Sequence, residues 1–521
     1  MAGLHDWWAH LVGQVQRLQQ TAPAIPVPGL HTYPIRLDGG ERRVHLRVHA
    51  DGSGVLFVDV TDVIHLNATA VHMVSLALEQ VPLAEARKRV AQHYRGASKS
   101  ELADAVSAMY GMVAQLRADS SGCPVCDLAP MLAFQRLFST PVTAPYKADV
   151  ALTYACNNSC PHCYNEPDRF TMPSLSRDGW FRVLDQLAAA GIPHIILTGG
   201  EPTLHSALPD IIRHADDLGQ IVGMNTNGRR LGEPGFAAEL VAAGLNHVQI
   251  TLESCYPEVH DAMVGAPGAF EETVHGIRNA LAAGLHTITN TTVTRQNQDH
   301  VLEIVSFVAS LGLGTFAMNG IIYAGGGVRT PDAIAAEEMA AVLAAVRDEA
   351  VAQDLRFLWY TVTDYCRLSP VALGLPPKRC NAAEYSICIE PNADVLPCQS
   401  YYEAAGNLLD DPWDSIWNSE LFRRFRDREK APEAAGLPPA CWDCPDLELC
   451  GGGCPLERAA LQGATQARSS LRGAERGCGR RPPAPTGRSS RSGGQGRSDG
   501  DAVPRASQAA ALLTSCDQER L

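Results

Sequence analysis

The stretch Cys156-Asn157-Asn158-Ser159-Cys160-Pro161-His162-Cys163-Tyr164 sets three cysteines at C-x3-C-x2-C spacing. Three thiolates can hold three irons of a 4Fe–4S cube and leave the fourth open to another ligand. A fully ligated cube takes four thiolates and mainly shuttles electrons. A zinc knuckle is the other reading of such closely spaced thiols, but zinc sites usually close with four ligands built from paired C-x2-C units. No fourth cysteine lies near this loop, and His162 must point elsewhere if Cys160 and Cys163 both bind.

Downstream, the apolar run Ile195-Ile196-Leu197-Thr198 ends in Gly199-Gly200-Glu201-Pro202. The triad and this GGEP segment together resemble the radical S-adenosylmethionine (SAM) superfamily. The resemblance implies a 4Fe–4S cluster on Cys156, Cys160 and Cys163. Its open iron would be chelated by the amino and carboxylate groups of SAM, with GGEP holding the amine. Glycine at 199 and 200 would let the backbone approach the cofactor closely, and Glu201 could pair with the SAM ammonium through a charge-assisted bond. Asn225-Thr226-Asn227-Gly228 and Thr251-Leu252-Glu253 end two further strand-like runs. The resemblance makes Asn225, Asn227 and Thr251 SAM contacts, while ordinary strand-end capping accounts for the same residue types without a ligand. His260-Asp261 and Gly265-Ala266-Pro267-Gly268-Ala269-Phe270 are similar to relatives too, but Met263 and Val264 stand where many carry an Arg. No carboxylate-binding Arg is therefore assigned. Cys255 either faces the active site or is an inert buried thiol.

Around these motifs, residues 146–354 alternate strand and helix. Strands are expected at 148–153, 194–198, 221–226, 247–252, 287–294 and 315–322, with helices between them. Six β-then-α units imply parallel strands joined by right-handed crossovers. The expected fold is therefore α/β, and its count matches the partial (β/α)6 TIM-like barrel of radical SAM enzymes. Chemistry in such barrels sits at the C-terminal ends of the strands, where every motif above falls.

Cys441-Trp442-Asp443-Cys444-Pro445-Asp446-Leu447-Glu448-Leu449-Cys450-Gly451-Gly452-Gly453-Cys454 is C-x2-C-x5-C-x3-C, with Cys380, Cys388 and Cys398 upstream. Over residues 355–455 this resembles the cysteine-rich SPASM domain, which implies one or two auxiliary 4Fe–4S clusters. Carried over by position, Cys380, Cys398 and Cys454 would bind the first, with Cys388 a possible fourth ligand. Cys441, Cys444 and Cys450 would bind the second, whose fourth ligand should follow Cys454. Cys478 is the candidate, although it lies in a Gly/Ser/Arg-rich tail that reads as disordered. Ala393 occupies a turn position where the family usually has Gly. The bare pair Cys123 and Cys126 reads as an exposed structural turn, with pairing to other cysteines, a zinc site or redox work as the alternatives.

Residues 42–118 read as a separate unit. Two period-two strands flank an Asp51-Gly52 turn, and helices are expected at 68–78, 83–93 and 99–115. Strands followed by three helices resemble the winged-helix-like, PqqD-type peptide chaperone domain, also called the RiPP recognition element. The resemblance implies capture of a leader peptide as an added strand at a sheet edge. Residues 1–41 read as a helix and Pro-rich connector, 119–145 as a linker, and 456–521 as a tail.

The net charge of −14 argues against a general nucleic-acid binder. No apolar run reaches ~18 residues, so no membrane span is expected, and the N-terminus lacks a signal peptide's pattern. Sixteen cysteines in such a chain read as metal ligands in a reducing cytoplasm. The resemblances together imply a radical SAM/SPASM maturase that crosslinks a ribosomally made precursor peptide, fed electrons by a reductant such as flavodoxin or ferredoxin. The alternatives are a SPASM enzyme acting on a protein side chain, a small molecule or a tetrapyrrole, and a non-catalytic iron–sulfur scaffold that binds peptides.

Overall fold

A computed structural model describes residues 26–37, 40–58, 62–94, 98–117 and 142–469 of the 521-residue chain. The expected N-terminal helix, Cys123, Cys126, Cys478, Cys516 and the tail after residue 469 lie outside the described residues. The chain divides into two compact units, the first described up to residue 117 and the second from residue 142.

In the first unit, strands β1 (Gly29–Leu37), β2 (Gly40–Val48), β3 (Gly54–Val58) and β4 (Asp62–Leu66) form an antiparallel meander in that order. Gly52 takes the left-handed φ of 83° that the Asp51-Gly52 turn requires, and Asp51 Oδ1 accepts from the Ser53 amide at 2.9 Å. Helices Ala68–Leu78, Leu83–His93 and Lys99–Leu116 follow. Asn67 caps the first of them, accepting from Ala70 N at 2.9 Å. Met73, Leu76, Ala86, Val90, Leu102 and Val106 bury their apolar faces against one another.

One expected boundary is corrected. The stretch through Pro34, read as connector, is strand β1, in which Pro34 pairs with Arg43. Proline removes a ladder donor, which is tolerated on an edge strand, and β1 is an edge.

The second unit is built on one sheet ordered β11-β10-β9-β8-β7-β6-β5-β12-β13. The six expected strands are β5 (Lys147–Thr153), β6 (His194–Gly199), β7 (Ile221–Thr226), β8 (His247–Thr251), β9 (His286–Thr292) and β10 (Thr315–Asn319). All neighbours among them are parallel. Two edges go beyond the expected barrel. Strand β11 (Arg356–Trp359) adds in parallel to β10, and β12 (Ser386–Ile389) adds in parallel to β5, with β13 (Val395–Leu396) antiparallel to it. The cysteine-rich segment is thus tied into the barrel sheet by main-chain pairing.

Alternation along each strand sorts its side chains between two faces. Ala148, Val150, Leu152, Ile195, Leu197, Val222, Met224, Val248 and Ile250 join one buried cluster with Trp180, Val183, Leu184, Ile211 and Ile212 of the covering helices. The alternate positions, among them Thr153, Asn225, Gln249, Thr251 and Asn319, lie on the opposite face near the C-terminal strand ends. Among the described residues, no helix is long and apolar enough to cross a membrane.

Candidate functional site

The cysteine loop leaves the end of β5 and is held from outside itself. Ser159 N donates to Val264 O at 2.9 Å, and Gly326 N donates to Cys163 O at 2.7 Å. The Arg229 guanidinium donates to Asn157 O at 2.5 Å and to Asn158 Oδ1 at 2.9 Å, while its Nε pairs with Glu272 at 2.5 Å. Asn227 Nδ2 donates to Asn157 Oδ1 at 2.6 Å. Gly265, at φ 63°, backs onto the loop so closely that a Cβ there would fall 2.4 Å from Ser159 O.

Cys156, Cys160 and Cys163 are half-buried free thiols. Burial, then the charges of Glu201 and Cys163, pushes Cys156 up to about 11. Burial and the charges of Cys163, Glu253 and Cys156 push Cys160 well above an ordinary thiol. Burial raises Cys163 as well. Three thiolates this close are costly without a cation among them, and binding iron would release their protons. The donor set therefore fits the cluster. His162 does point elsewhere, pairing through Nε2 with Glu253 Oε1 at 3.3 Å. Burial alone would lower its pKa, but the hydrogen bond and charge of Glu253 outweigh that and raise it.

Glycine at 199 and 200 is also required by the neighbouring backbone. A Cβ at Gly199 would lie 2.1 Å from Thr153 O, and one at Gly200 would lie 2.4 Å from both Tyr154 O and Ala155 O. The close approach is to the backbone leading into the cysteine loop, sealed by Gly200 N to Thr153 O at 2.7 Å and Glu201 N to Ala155 O at 2.8 Å. Glu201 is wholly buried. Its Oε1 accepts from Thr203 N (3.1 Å), Thr203 Oγ1 (2.6 Å) and Thr226 Oγ1 (2.7 Å), and its Oε2 accepts from Asn227 N (2.8 Å). The carboxylate thus ties the end of β6 to the end of β7, and Pro202 opens the turn Pro202–Leu204 that follows, with Pro202 and Thr203 buried. Burial raises the Glu201 pKa and these donors oppose the rise.

Asn225 and Thr251 are half-buried at the ends of β7 and β8. The Asn227 side chain also holds the cysteine loop. Cys255 lies off this face, lining a 660 Å³ groove with Tyr256, Leu302 and Phe307 and with Glu349 of helix Ala336–Ala352. Arg229 and the anchoring of His162 by Glu253 were not foreseen. The Asn227-Gly228-Arg229 run after a strand was the one available signal.

The C-terminal cysteines influence one another electrostatically in two sets. Cys398 feels the charges of Cys380 and Cys454 after burial, and Cys454 feels Cys380. Cys441 feels Asp364, Cys450 and Cys444. Cys388 is electrostatically close to Cys398, but it sits in β12 and packs with Ala151, Tyr154 and Leu396. Ala393 adopts the left-handed φ of 74° expected of a Gly position. Cys380 is braced by buried charge. Arg428 donates to Cys380 O at 2.5 Å and to Glu384 at 2.8 Å, while Arg379 pairs with Glu384 at 2.5 Å and also with Glu429. A second network joins the two cysteine regions. Tyr154 donates to Glu390 at 3.0 Å, Arg169 pairs with Glu390 and lies 3.8 Å over the Tyr402 ring, and Tyr402 donates to Tyr164 O at 2.8 Å.

Comparison with known proteins agrees with this arrangement. Residues 150–308 match the radical SAM superfamily and residues 380–445 match the SPASM iron–sulfur cluster-binding domain. The chain is 30% identical over 334 residues to a PqqA peptide cyclase of Xanthomonas campestris pv. campestris, covering 62% of this chain and 85% of that protein. It is 31% identical over 334 residues to the mycofactocin maturase MftC of Mycolicibacterium smegmatis, covering 62% and 80%. The crystal structure of Streptococcus suis SuiB shares the fold, with a TM-score of 0.57 at 16% identity over 80% of this chain and 95% of that one. SuiB has also been solved bound to its precursor peptide SuiA, with a TM-score of 0.56 at 14% identity over 79% and 94% of the two chains.

Proposed function

The chain belongs to the radical SAM superfamily, in the branch that carries a SPASM iron–sulfur domain, and from that premise we propose that it matures a ribosomally made precursor peptide by forming a crosslink. The observation that carries this reading is the triad loop held over the strand ends, combined with relatives named as a PqqA peptide cyclase and a mycofactocin maturase. When bound, the triad cluster and SAM supply a 5′-deoxyadenosyl radical able to take hydrogen from an unactivated carbon.

The chain's own residues do the positioning. Arg229, Asn227 and the Glu253–His162 pair fix the loop. Glu201 and the two glycines lock the ends of β5, β6 and β7 against one another. Asn225, Asn227 and Thr251 are the candidate polar contacts to SAM at the strand ends, and Glu201 is the candidate partner of its amine.

The N-terminal unit is the proposed leader-binding domain. Its meander has two edges, β1 and β4. Pro34 in β1 cannot donate to an added strand, so β4 is the edge that suits strand addition. A cytoplasmic flavodoxin or ferredoxin would supply electrons.

The test is anaerobic co-expression with a short open reading frame encoded beside this gene, read as intact peptide mass. A crosslink removes two hydrogens, so a loss of about 2 Da is expected with the intact enzyme. The loss should be absent with Cys156→Ala and with a chain lacking residues 1–118. An unchanged mass with the intact enzyme, across all neighbouring short peptides, would count against the reading. Full modification by the shortened chain would remove the N-terminal unit from it.

A further inference from the structure

The triad loop runs on into Tyr164, Asn165 and Glu166, where it meets the turn that follows β10. That turn reads Ala324-Gly325-Gly326-Gly327-Val328-Arg329. Its glycines let the backbone lie against a row of carbonyls. A Cβ at Gly325 would fall 2.5 Å from Asn165 O, 2.6 Å from Tyr164 O and 2.7 Å from Cys163 O, and one at Gly326 would fall 2.2 Å from Pro161 O. Gly325 also holds φ 50° and ψ −125°, a conformation that side chains disfavour.

Two amides of the turn use this close approach. Gly326 N donates to Cys163 O at 2.7 Å. Gly325 N donates to Glu166 Oε1 at 3.0 Å. Glu166 follows the last triad cysteine by three residues and folds back to hold the turn that holds that cysteine. The neighbouring contacts, Asn165 Nδ2 to Gly199 O at 3.3 Å and Tyr402 Oη to Tyr164 O at 2.8 Å, fasten the residues after Cys163 and not Cys163 itself.

Glu166 has one further charged neighbour. Arg329 Nη1 stands 3.9 Å from its Oε2, with the arginine side chain 60% exposed and the glutamate 38%. A pair that long and that exposed contributes little. A carboxylate accepting from a backbone amide makes a charge-assisted bond, stronger than a neutral one. Glu166 therefore acts chiefly through the amide of Gly325.

We propose that Glu166 is a positioning residue for the SAM-binding cluster: by fixing the Gly325-Gly326 turn it sets the place of Cys163, and with it the direction in which the open iron faces. Three thiolates orient a cube and leave one corner free, so displacing one of the three turns that corner. Groups one step removed from metal ligands change metal affinity or activity by about 10- to 100-fold when removed. The proposal rests on the SAM chemistry of the triad and is independent of the peptide reading.

The test uses the full-length, anaerobically reconstituted and reduced protein. It reads iron content, the change that SAM produces in the triad's EPR signal, and KM for SAM against kcat for 5′-deoxyadenosine formation. Glu166→Ala should keep the iron, diminish the SAM-induced EPR change and raise KM for SAM by about tenfold, more than it lowers kcat. Glu166→Gln, whose amide oxygen can still accept from Gly325 N, should recover most of the effect. Arg329→Ala should match the intact protein, since it removes only the exposed pair. Unchanged EPR response and KM in Glu166→Ala would overturn the proposal. So would an equal deficit in Arg329→Ala, which would assign the effect to the ion pair, or loss of iron in Glu166→Ala and Glu166→Gln alike, which would leave Glu166 a purely structural role. An intact protein whose EPR signal ignores SAM would overturn the SAM chemistry on which the proposal rests.

Discussion

Glu384 lies between two buried guanidiniums, accepting from Arg379 at 2.5 Å and Arg428 at 2.8 Å, and the Arg428 contact to Cys380 O links this trio to the first auxiliary set. Glu384 is 6% exposed, Arg379 3% and Arg428 4%. Removing one partner of such a buried network leaves uncompensated charge, which costs about 3–5 kcal/mol. Glu384→Ala should therefore lower the unfolding free energy, read from denaturant titration, by that amount, while Arg424→Ala, which breaks the exposed pair to Glu403 at 3.4 Å, should cost less than about 1 kcal/mol. Equal losses in the two variants would show that the network is not worth its burial. At this scale the sequence named the cysteines but not what holds them. Arg229 and Glu253 each reach the cysteine loop from distant parts of the chain, and no local spacing announces such partners. Glu201 shows the reverse case: its place in GGEP was plain, while its use as a four-donor knot between β6 and β7 was not.

Strands β6, β7 and β8 are locked at their N-terminal ends by two imidazoles. His194 Nε2 lies 2.8 Å from His247 Nε2, so one ring must be neutral and accept. Gly223 on β7 makes the room, since a Cβ there would fall 2.1 Å from the His247 ring. Burial, followed by the charges of His286 and Lys147, pushes His247 down to about 4. A folded pKa below the unfolded 6.5 means that the unfolded chain takes up the proton first. The contribution of His247 is fully present above pH 6.5 and is lost as pH falls towards about 4, on the order of 3 kcal/mol in all. Denaturation between pH 7 and 4.5 should show this loss, and His247→Gln should flatten it; a slope unchanged by His247→Gln would contradict the assignment. The six parallel strands were legible to within two or three residues at each end, because apolar alternation on strands buried against helices is a strong signal. Strand β1 was hidden by Pro34, which reads as loop chemistry until the strand is known to be an edge. Strand β11 is four residues long, too short for a period to show, and only the register with β10 places it.

As a molecule, the chain couples two cysteine regions through one sheet. Parallel pairing of β12 with β5 sets the auxiliary region beside the strand that feeds the triad loop, and the Tyr154–Glu390–Arg169–Tyr402 network spans the same join. This arrangement suits an enzyme in which electrons and substrate converge on one face of the barrel. The broad architecture was readable because cysteine spacings are specific and survive divergence. The fourth ligand of the second auxiliary set is sought after Cys454, at Cys478, which lies outside the described residues. The central claim is that Cys156, Cys160 and Cys163 hold a cluster that cleaves SAM. It is tested most directly by incubating the reconstituted, reduced full-length protein with SAM under anaerobic conditions and quantifying 5′-deoxyadenosine. The account predicts reductant-dependent formation by the intact protein and none above background in Cys156→Ala. No 5′-deoxyadenosine from the intact, cluster-loaded protein, with or without candidate peptides, would contradict it.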